Sequence, residues 1–140
     1  HKIRKTYAAL VKGQVSLDKQ LIDAPLLRYE LANGERRVRV TKEGKPSKTE
    51  WVIAERFKEA TLVYASPLSG RTHQIRVHGL SIGHPLVGDD KYGHQTVYTG
   101  PEARRLCLHA MRLEIPDYPV IEAPLPEDIQ SVVAQLRAQK

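Results

Sequence analysis

Residues 69–78 read SGRTHQIRVH and hold two arginines, two histidines and one glutamine in ten positions. Arg, His and Gln each need a polar partner when they leave water, so a segment buried on all sides would not be built from them. The segment is therefore expected to direct its polar groups at a ligand or at other parts of the chain.

The run from Thr72 to Ile82 is predicted to form a helix. Thr72 is a suitable N-cap, and Gly83, which precedes a His-Pro pair, would end the helix. Ile75 is placed to face the core, whereas Arg76 would lie on another face, from which it can reach into a cleft.

The start of this predicted helix is a candidate anion site. Gly70, Arg71 and Thr72 lie where free backbone N–H groups and the helix dipole favour negative charge. Arg76 lies one turn further along, and it would either pair with a carboxylate or hold a phosphate, since both uses need its planar fork of donors. An intrachain salt bridge is the simple interpretation of a single arginine, and the clustering of polar residues favours a ligand.

Strand-like segments lie on both sides of this helix. The predicted strands, chosen for β-branched composition and apolar alternation, are residues 6–13, 36–41, 49–57, 60–68 and 106–113. The last element is predicted to be a helix, because its apolar residues have i, i+3, i+4, i+7 spacing: Ile129, Val132, Val133 and Leu136. Several strands, few helices and no regular strand–helix alternation predict an α+β fold with a mixed, mostly antiparallel sheet.

The balance of charge predicts an anionic partner. The 140 residues include 22 Lys and Arg against 16 Asp and Glu, a formal net charge of +6. Nucleic acid is favoured over an anionic membrane, and a charge that serves only solubility is the alternative. Arg37 and Arg39 alternate with Val38 and Val40, so one face of that strand would present cations either to phosphates or only to water.

Metal and nucleophile chemistry has little support, and no metal is expected. His73 and His78 are five residues apart, about 140° around a helix, so they diverge rather than share a metal ion or an RNA phosphate. Asp89 and Asp90, adjacent in VGDDKYG, are typical of a turn. Cys107, the single cysteine, lies in the apolar run LCLHA and is expected to be buried and inert.

The remaining features concern the setting of the chain. No run approaches 18 apolar residues, and no membrane partner is expected. A signal-peptide pattern is absent, and cysteine is scarce, so a cytoplasmic, reducing compartment is expected. The chain begins with His1, and strand composition starts by Thr6, so a piece of a longer protein is expected.

Three stretches resemble one known family. LSGRTHQIRVHGLSIGHPLVGDDKYG (68–93) resembles the third motif of the A-type pseudouridine synthases, which modify ribosomal large-subunit RNA and some tRNAs. KTYAALVKG (5–13) resembles the tyrosine-bearing strand of that family, and RLCLHAMRL (105–113) resembles the strand that follows. GKPSKTEW (44–51) and EAPLPED (122–128) also fit, so the resemblance covers nearly the whole chain.

The resemblance implies the isomerisation of uridine to pseudouridine without cofactor or metal. In the family a catalytic aspartate attacks the flipped-out nucleotide, and the uracil detaches, turns and rejoins the ribose through carbon. Tyr7 matches the tyrosine that stacks on the uracil and is implicated in proton transfer, and Arg76 matches the arginine that pairs with the catalytic aspartate. Leu108 matches the apolar residue of the base pocket, with Leu106 close enough in register to be the alternative.

Further consequences of the resemblance concern RNA contact and assembly. Arg71, Thr72, His73 and Gln74 would bind substrate through the RNA backbone or would support the site, and the sequence does not divide these roles. The implied partner is large-subunit ribosomal RNA, with tRNA as a further candidate, and the implied oligomeric state is a monomer. The family usually has a longer hairpin than the one expected near residues 116–122.

The chain also departs from the family pattern. The nucleophile of the family lies in a His-Arg-Leu-Asp motif before the tyrosine strand, whereas all six aspartates of this chain follow Tyr7. Residues 1–140 are therefore expected to be one domain, the C-terminal part of a catalytic domain, without the aspartate segment and without an N-terminal RNA-binding domain. This segment alone is expected to be inactive. The alternative from another class is a non-catalytic RNA-binding module.

Overall fold

The computed structural model of the chain describes residues 3–139, which form eight strands and two helices. In chain order the elements are β1 (Arg4–Lys12), β2 (Lys19–Asp23), β3 (Leu26–Glu30), β4 (Arg36–Val40), β5 (Lys48–Arg56), β6 (Ala60–Pro67), α1 (Gln74–Ser81), β7 (Leu108–Glu114), β8 (Ile121–Glu122) and α2 (Glu127–Ala138). Neither helix is long and apolar enough to cross a membrane.

Six of the strands form one sheet in the order β2-β5-β6-β1-β7-β8, and β3 pairs with β4 in a separate hairpin. Every strand pairing within residues 3–139 is antiparallel. The predicted α+β fold, with a mostly antiparallel sheet and few helices, is confirmed.

The central strand β1 separates two cores because its side chains alternate between the two faces of the sheet. Ala8 and Leu10 pack in the core that α2 covers. Ala9 and Val11 lie on the other face, in a core that includes Ile75 of α1. Tyr7 shares this second face, and the strand therefore directs Tyr7 towards α1.

The predicted C-terminal helix is confirmed with its predicted buried face. Ile129, Val132, Val133 and Leu136 are all buried. The first turn carries Glu127 and Asp128, whose negative charges suit the positive end of the helix dipole.

Truncation of Leu136, which is 0% exposed, is expected to destabilise the protein. Leu136→Ala should lower the free energy of unfolding by about 2–5 kcal/mol, because it leaves a cavity in a packed core. Urea denaturation measures the change, and Gln135→Ala on the exposed face serves as control with an expected change of less than about 0.5 kcal/mol. Equal losses in the two variants would contradict the packing of α2 on the sheet.

The predicted start of the first helix is wrong by two residues. α1 begins at Gln74, and its N-cap is His73 rather than Thr72. His73 has φ 53° and ψ 24°, which is left-handed backbone. Its ring is held by Tyr92, whereas Thr72 lies exposed outside the helix. The predicted end is confirmed, since Gly83 has φ 84° and its N–H donates to the carbonyl of Leu80.

The sequence patterns missed three strands, β2, β3 and β8. β3 pairs with β4 and places Leu26 and Val38 against α1, in a small core with Val77 and Tyr92. β8 pairs with β7 across a short turn that includes Asp117 at φ 67°. The hairpin near residues 116–122 is therefore short and closed in this chain.

Candidate active site

A cavity of about 610 Å³ lies between the β1 and β7 strands and the segment from Pro67 to Arg76. Its lining includes six of the seven residues that the sequence nominated: Tyr7, Arg71, His73, Gln74, Arg76 and Leu108. Thr72 is the seventh, and it lines an adjoining groove instead. The sequence missed Lys5, which also lines the cavity. The sequence could have identified Lys5, because side chains two residues apart on a strand share a face, and Lys5 is two residues before Tyr7.

The register of the sheet leaves space beside Tyr7. β1 is an inner strand, and the residues opposite Tyr7 on its two neighbours are Ala65 and Ala110. Side chains directly opposite one another lie in contact, so two methyl groups keep the flanks of the Tyr7 ring open. The register of β1 against β7 shifts between Thr6 and Tyr7, and an irregularity of this kind changes the local direction of the strand next to the tyrosine.

Aliphatic side chains form one wall of the cavity. Leu106 and Leu108 both line it, and both pack against the core beneath α1. The structure therefore places both alternatives for the apolar residue in the wall. Cys107 between them is 1% exposed, and burial raises the pKa of its thiol to about 11, in agreement with the expected inert cysteine.

Arg76 forms a bidentate salt bridge with Asp89. Nε and Nη2 donate to the two carboxylate oxygens, each at 2.8 Å, and the Asp89 side chain is 0% exposed. Asp89 also accepts the backbone N–H groups of Lys91 and Tyr92. Burial raises the pKa of Asp89, but the hydrogen bonds from Arg76 and the backbone outweigh it and hold that pKa below its usual value.

The structure contains the two features that the sequence suggested for Arg76 and Asp89, a salt bridge and a turn. Arg76 has the intrachain salt bridge that was the simple alternative, and Asp89 fixes a turn, as expected for VGDDKYG. Arg76 nevertheless lines the cavity, and its Nη1 makes no hydrogen bond to any residue between 3 and 139. One donor nitrogen of the guanidinium therefore remains for a group inside the cavity.

Tyr92 supports the same wall from behind. Its hydroxyl accepts the N–H of Val38 at 3.0 Å and lies 2.7 Å from Nδ1 of His73. In its neutral form His73 can accept the Tyr92 hydroxyl proton at Nδ1 and then carries its own proton on Nε2. Burial, followed by the charge of Arg76, lowers the pKa of His73 and favours this neutral form.

Gln74 fastens the loop before α1 to strand β5. Its Oε1 accepts from the Ser69 hydroxyl at 2.8 Å and from the Arg71 N–H at 3.2 Å. Its Nε2 donates to the Lys48 carbonyl at 2.8 Å and to Oγ1 of Thr49 at 3.0 Å. These contacts favour a supporting role for Gln74 over direct contact with RNA.

His78 extends this network into the interior. Its Nε2 donates to the Ala24 carbonyl at 2.9 Å, and its Nδ1 accepts from the Thr49 hydroxyl at 2.8 Å. His78 is 0% exposed, and burial lowers its pKa. The divergence of His73 and His78 is confirmed, because the two rings have separate partners.

The histidines predict how stability depends on pH. His73 and His78 have lowered pKa values in the folded state, so the unfolded chain binds more protons below its own His pKa of about 6.5. The free energy of unfolding should therefore fall as the pH is lowered from 7.5 to 5.0. Urea midpoints at several pH values measure this, and His73→Gln/His78→Gln should give a flatter profile. A profile that is flat in the unsubstituted protein would contradict the neutral buried forms.

The cavity is lined by positive charge. Lys5, Arg71 and Arg76 line it, and no Asp or Glu of residues 3–139 does so. Lys5 and Arg71 have no carboxylate partner within residues 3–139, whereas Arg76 is paired with Asp89. An aromatic ring, an aliphatic wall and these cations suit a flat anionic ligand or an added carboxylate. Within the same residues no group of three His, Cys, Asp or Glu side chains lies close enough to hold a metal ion.

The chain is similar in sequence to several known proteins. The chain is 47% identical over 147 residues to ribosomal large subunit pseudouridine synthase C of Pasteurella multocida, covering 99% of this chain and 45% of that protein. It is 44% identical over 146 residues to the protein of the same name from Haemophilus ducreyi, covering 99% and 46%. For Escherichia coli K12 the identity is 43% over 145 residues, covering 96% and 46%. The chain thus spans about half the length of the curated relatives that it matches.

Solved structures and a family model complete the comparison. The chain superimposes on human RNA pseudouridylate synthase domain containing 1 with a TM-score of 0.74 and 29% identity, over 98% of this chain and 66% of that one. The human domain containing 4 gives a TM-score of 0.75 at 22% identity, a likeness of fold alone. Residues 1–81, more than half of the chain, match the model described as RNA pseudouridylate synthase. The chain belongs to the RNA pseudouridylate synthase family.

Proposed function

We propose that the protein containing this chain isomerises uridine to pseudouridine in ribosomal large-subunit RNA. The observation that carries the proposal is that Tyr7, Arg76 and Leu108 line one cavity, although they come from distant parts of the sequence. The substrate class follows from the relatives that are 43–47% identical, which are named as synthases of the ribosomal large subunit.

The cavity suits a base that has left the RNA stack. Enzymes that act on a base within RNA move it into a pocket and hold it against aromatic and apolar side chains. Tyr7 provides the ring, and Leu106 and Leu108 provide the apolar wall. The alanines opposite Tyr7 leave the ring face accessible, so a uracil ring can stack against it.

The attacking carboxylate is proposed to come from a segment before Tyr7. Burial raises the pKa of a carboxylate, and a cation beside it keeps it ionised. Arg76 is held in place by Asp89 through Nε and Nη2, so its Nη1 is available to the attacking group. Residues 1–140 would then be the C-terminal part of a catalytic domain.

The chemistry assigns a proton step to Tyr7. In the isomerisation the bond between ribose C1′ and uracil N1 breaks, and a bond between C1′ and C5 forms. The proton on C5 must leave, and N1 ends with a proton. We assign part of this transfer to the Tyr7 hydroxyl, which lies on the face of the sheet towards the cavity.

Loss of the C5 hydrogen gives a direct test. The full-length protein would be incubated, without added metal or cofactor, with large-subunit RNA transcribed from uridine labelled with tritium at C5. Release of tritium into water is the expected result. Intact RNA without tritium release would overturn the proposal, and shortened RNA would indicate a nuclease.

A non-catalytic RNA-binding module is the second candidate. It is favoured by one observation, that no carboxylate of residues 3–139 lines the cavity. A module of this kind would retain large-subunit RNA with the salt dependence of phosphate contacts but would release no tritium. The same incubation, with RNA retention measured in parallel, distinguishes the two.

The proposal extends to the setting of the enzyme. We expect a monomer that acts in the cytoplasm and needs neither metal nor cofactor, with tRNA as a further substrate class. Mass measurement of the native protein in solution tests the monomer, and tritium release from labelled tRNA tests the second substrate.

A further inference from the structure

A second groove opens beside the cavity, between the β3–β4 hairpin and the loop before α1. Its volume is about 360 Å³, and its lining consists of Leu26, Leu27, Arg28, Val38, Lys45, Gly70, Arg71 and Thr72. Gly70 and Arg71 line the cavity as well, so the groove and the cavity meet along these two residues.

The groove gathers cations that have no acidic partner. Arg28, Lys45 and Arg71 line it, and no Asp or Glu does. None of the three forms an ion pair with a carboxylate of residues 3–139, whereas Arg37 on the same hairpin pairs with Glu35. Three unpaired cations that converge on one groove favour an anionic occupant.

The cations stand on a fixed backbone. Lys45 and Leu26 exchange two backbone hydrogen bonds of 2.9 and 3.0 Å. Gly44 lies so close that an added Cβ would meet the Leu26 backbone at 2.6 Å. Arg71 donates through Nε and Nη2 to the Pro46 carbonyl. These two hydrogen bonds fix the guanidinium and do not use Nη1. The groove therefore exists before a ligand arrives.

We propose that this groove binds the phosphodiester chain next to the nucleotide whose base occupies the cavity. The inference rests on the proposed function, because it takes RNA as the ligand. A base in the cavity leaves its neighbouring phosphate near Gly70 and Arg71, where the two spaces meet. Arg28 and Lys45 then meet the chain as it leaves, and the exposed Thr72 hydroxyl donates to a phosphate oxygen. The partly exposed Leu27 contacts the sugar.

The test is the salt dependence of RNA binding by the full-length protein. The probe is unmodified large-subunit RNA transcribed in vitro, and its Kd is measured between 50 and 200 mM KCl. Loss of two phosphate contacts on single-stranded RNA should reduce the slope of log K against log salt by about 1.4. Between 200 and 50 mM KCl the affinity of the unsubstituted protein rises by some factor. For Arg28→Ala/Lys45→Ala that factor should be about sevenfold smaller.

The matched control removes one Arg and one Lys elsewhere. Lys58→Ala/Arg104→Ala changes the net charge equally, and both residues are exposed and unpaired with carboxylates within residues 3–139. The control should keep the original slope, and its rate of tritium release at saturating RNA should equal that of the unsubstituted protein.

The outcomes separate the groove from the proposed function. An unchanged slope in Arg28→Ala/Lys45→Ala, or the same reduction in the control, would overturn the groove even while tritium is released normally. A reduced slope confined to the groove variant supports the groove. If the slope falls only in the groove variant and the unsubstituted protein releases no tritium from any RNA, RNA binding in the groove stands and only the proposed function fails.

Discussion

Tyr7→Phe is expected to slow uridine isomerisation by about 10²–10⁴-fold in single-turnover experiments, the usual contribution of a positioned proton-transfer group. The substitution removes only the hydroxyl, so the ring can still stack on the base. The affinity for RNA should therefore stay close to that of the unsubstituted protein. Tritium release from C5-labelled RNA measures the rate, and filter binding measures the affinity.

Tyr64 is the matched control for this experiment. It lies on the neighbouring strand β6, opposite Ala8, and therefore on the other face of the sheet from the cavity. It is 37% exposed. Tyr64→Phe should leave the rate unchanged. A Tyr7→Phe protein that keeps its full rate would contradict the proton-transfer role. Equal losses of rate and affinity would assign the Tyr7 hydroxyl to RNA binding instead of proton transfer.

Asp89→Ala is expected to lower the free energy of unfolding by about 3–5 kcal/mol, because it leaves the Arg76 guanidinium without its partner in a largely buried site. The carboxylate also accepts two backbone N–H groups, which would lose their acceptor. Urea denaturation measures the change. Arg137→Ala, which breaks an exposed ion pair with Glu55, should cost at most about 1 kcal/mol.

The same salt bridge complicates the use of Arg76→Ala as a test of catalysis. That variant would remove the cation from the cavity and would also leave the buried Asp89 carboxylate without its ion-pair partner. A loss of activity would then follow from a loss of folding as readily as from a loss of catalysis. Arg76→Lys keeps the charge and loses the planar fork, and its stability can be compared with that of Asp89→Ala. A small change in stability in Asp89→Ala would contradict the role of this pair in fixing the turn.

Composition and periodicity predicted the elements that contain many buried residues and failed elsewhere. α2 was predicted because its apolar residues recur at the helical period and face one core. β5 and β6 were predicted from apolar, β-branched composition, and β6 packs Leu62 in the core that α2 covers and Val63 in the core beneath α1. β2 and β3 were missed because burial marks few of their residues, Ile22 in β2 and Leu26 in β3. Each is a strand because of a partner elsewhere in the chain.

Local signals also misplaced the start of α1. Thr72 is a good N-cap by residue type, but the loop is fixed by Gln74 and by the contact of His73 with Tyr92. Both are contacts of the folded state, and the second crosses 19 positions of the sequence. A rule that considers neighbouring residues alone has no access to them.

The site was predicted by residue type, and its geometry came from the fold. The resemblance nominated Tyr7, Arg76 and Leu108, and the structure places all three in one cavity. The catalytic roles of Tyr7 and Arg76 and the base-binding role of Leu108 stay predictions. The partner of Arg76 and the groove beside Arg71 depend on which loops meet, which no spacing in the sequence encodes.

The two alanines opposite Tyr7 set the width of the cavity, and they are not among the residues with proposed catalytic roles. The residues with proposed catalytic roles, Tyr7 and Arg76, lie on β1 and α1, whereas the space beside the tyrosine is set by one methyl group on each neighbouring strand, Ala65 and Ala110. A larger side chain at either position would narrow the cavity and leave the Tyr7 hydroxyl and the Arg76 guanidinium in the protein. Homologues could thus diverge in which nucleotides they admit, through two positions that take no part in the reaction.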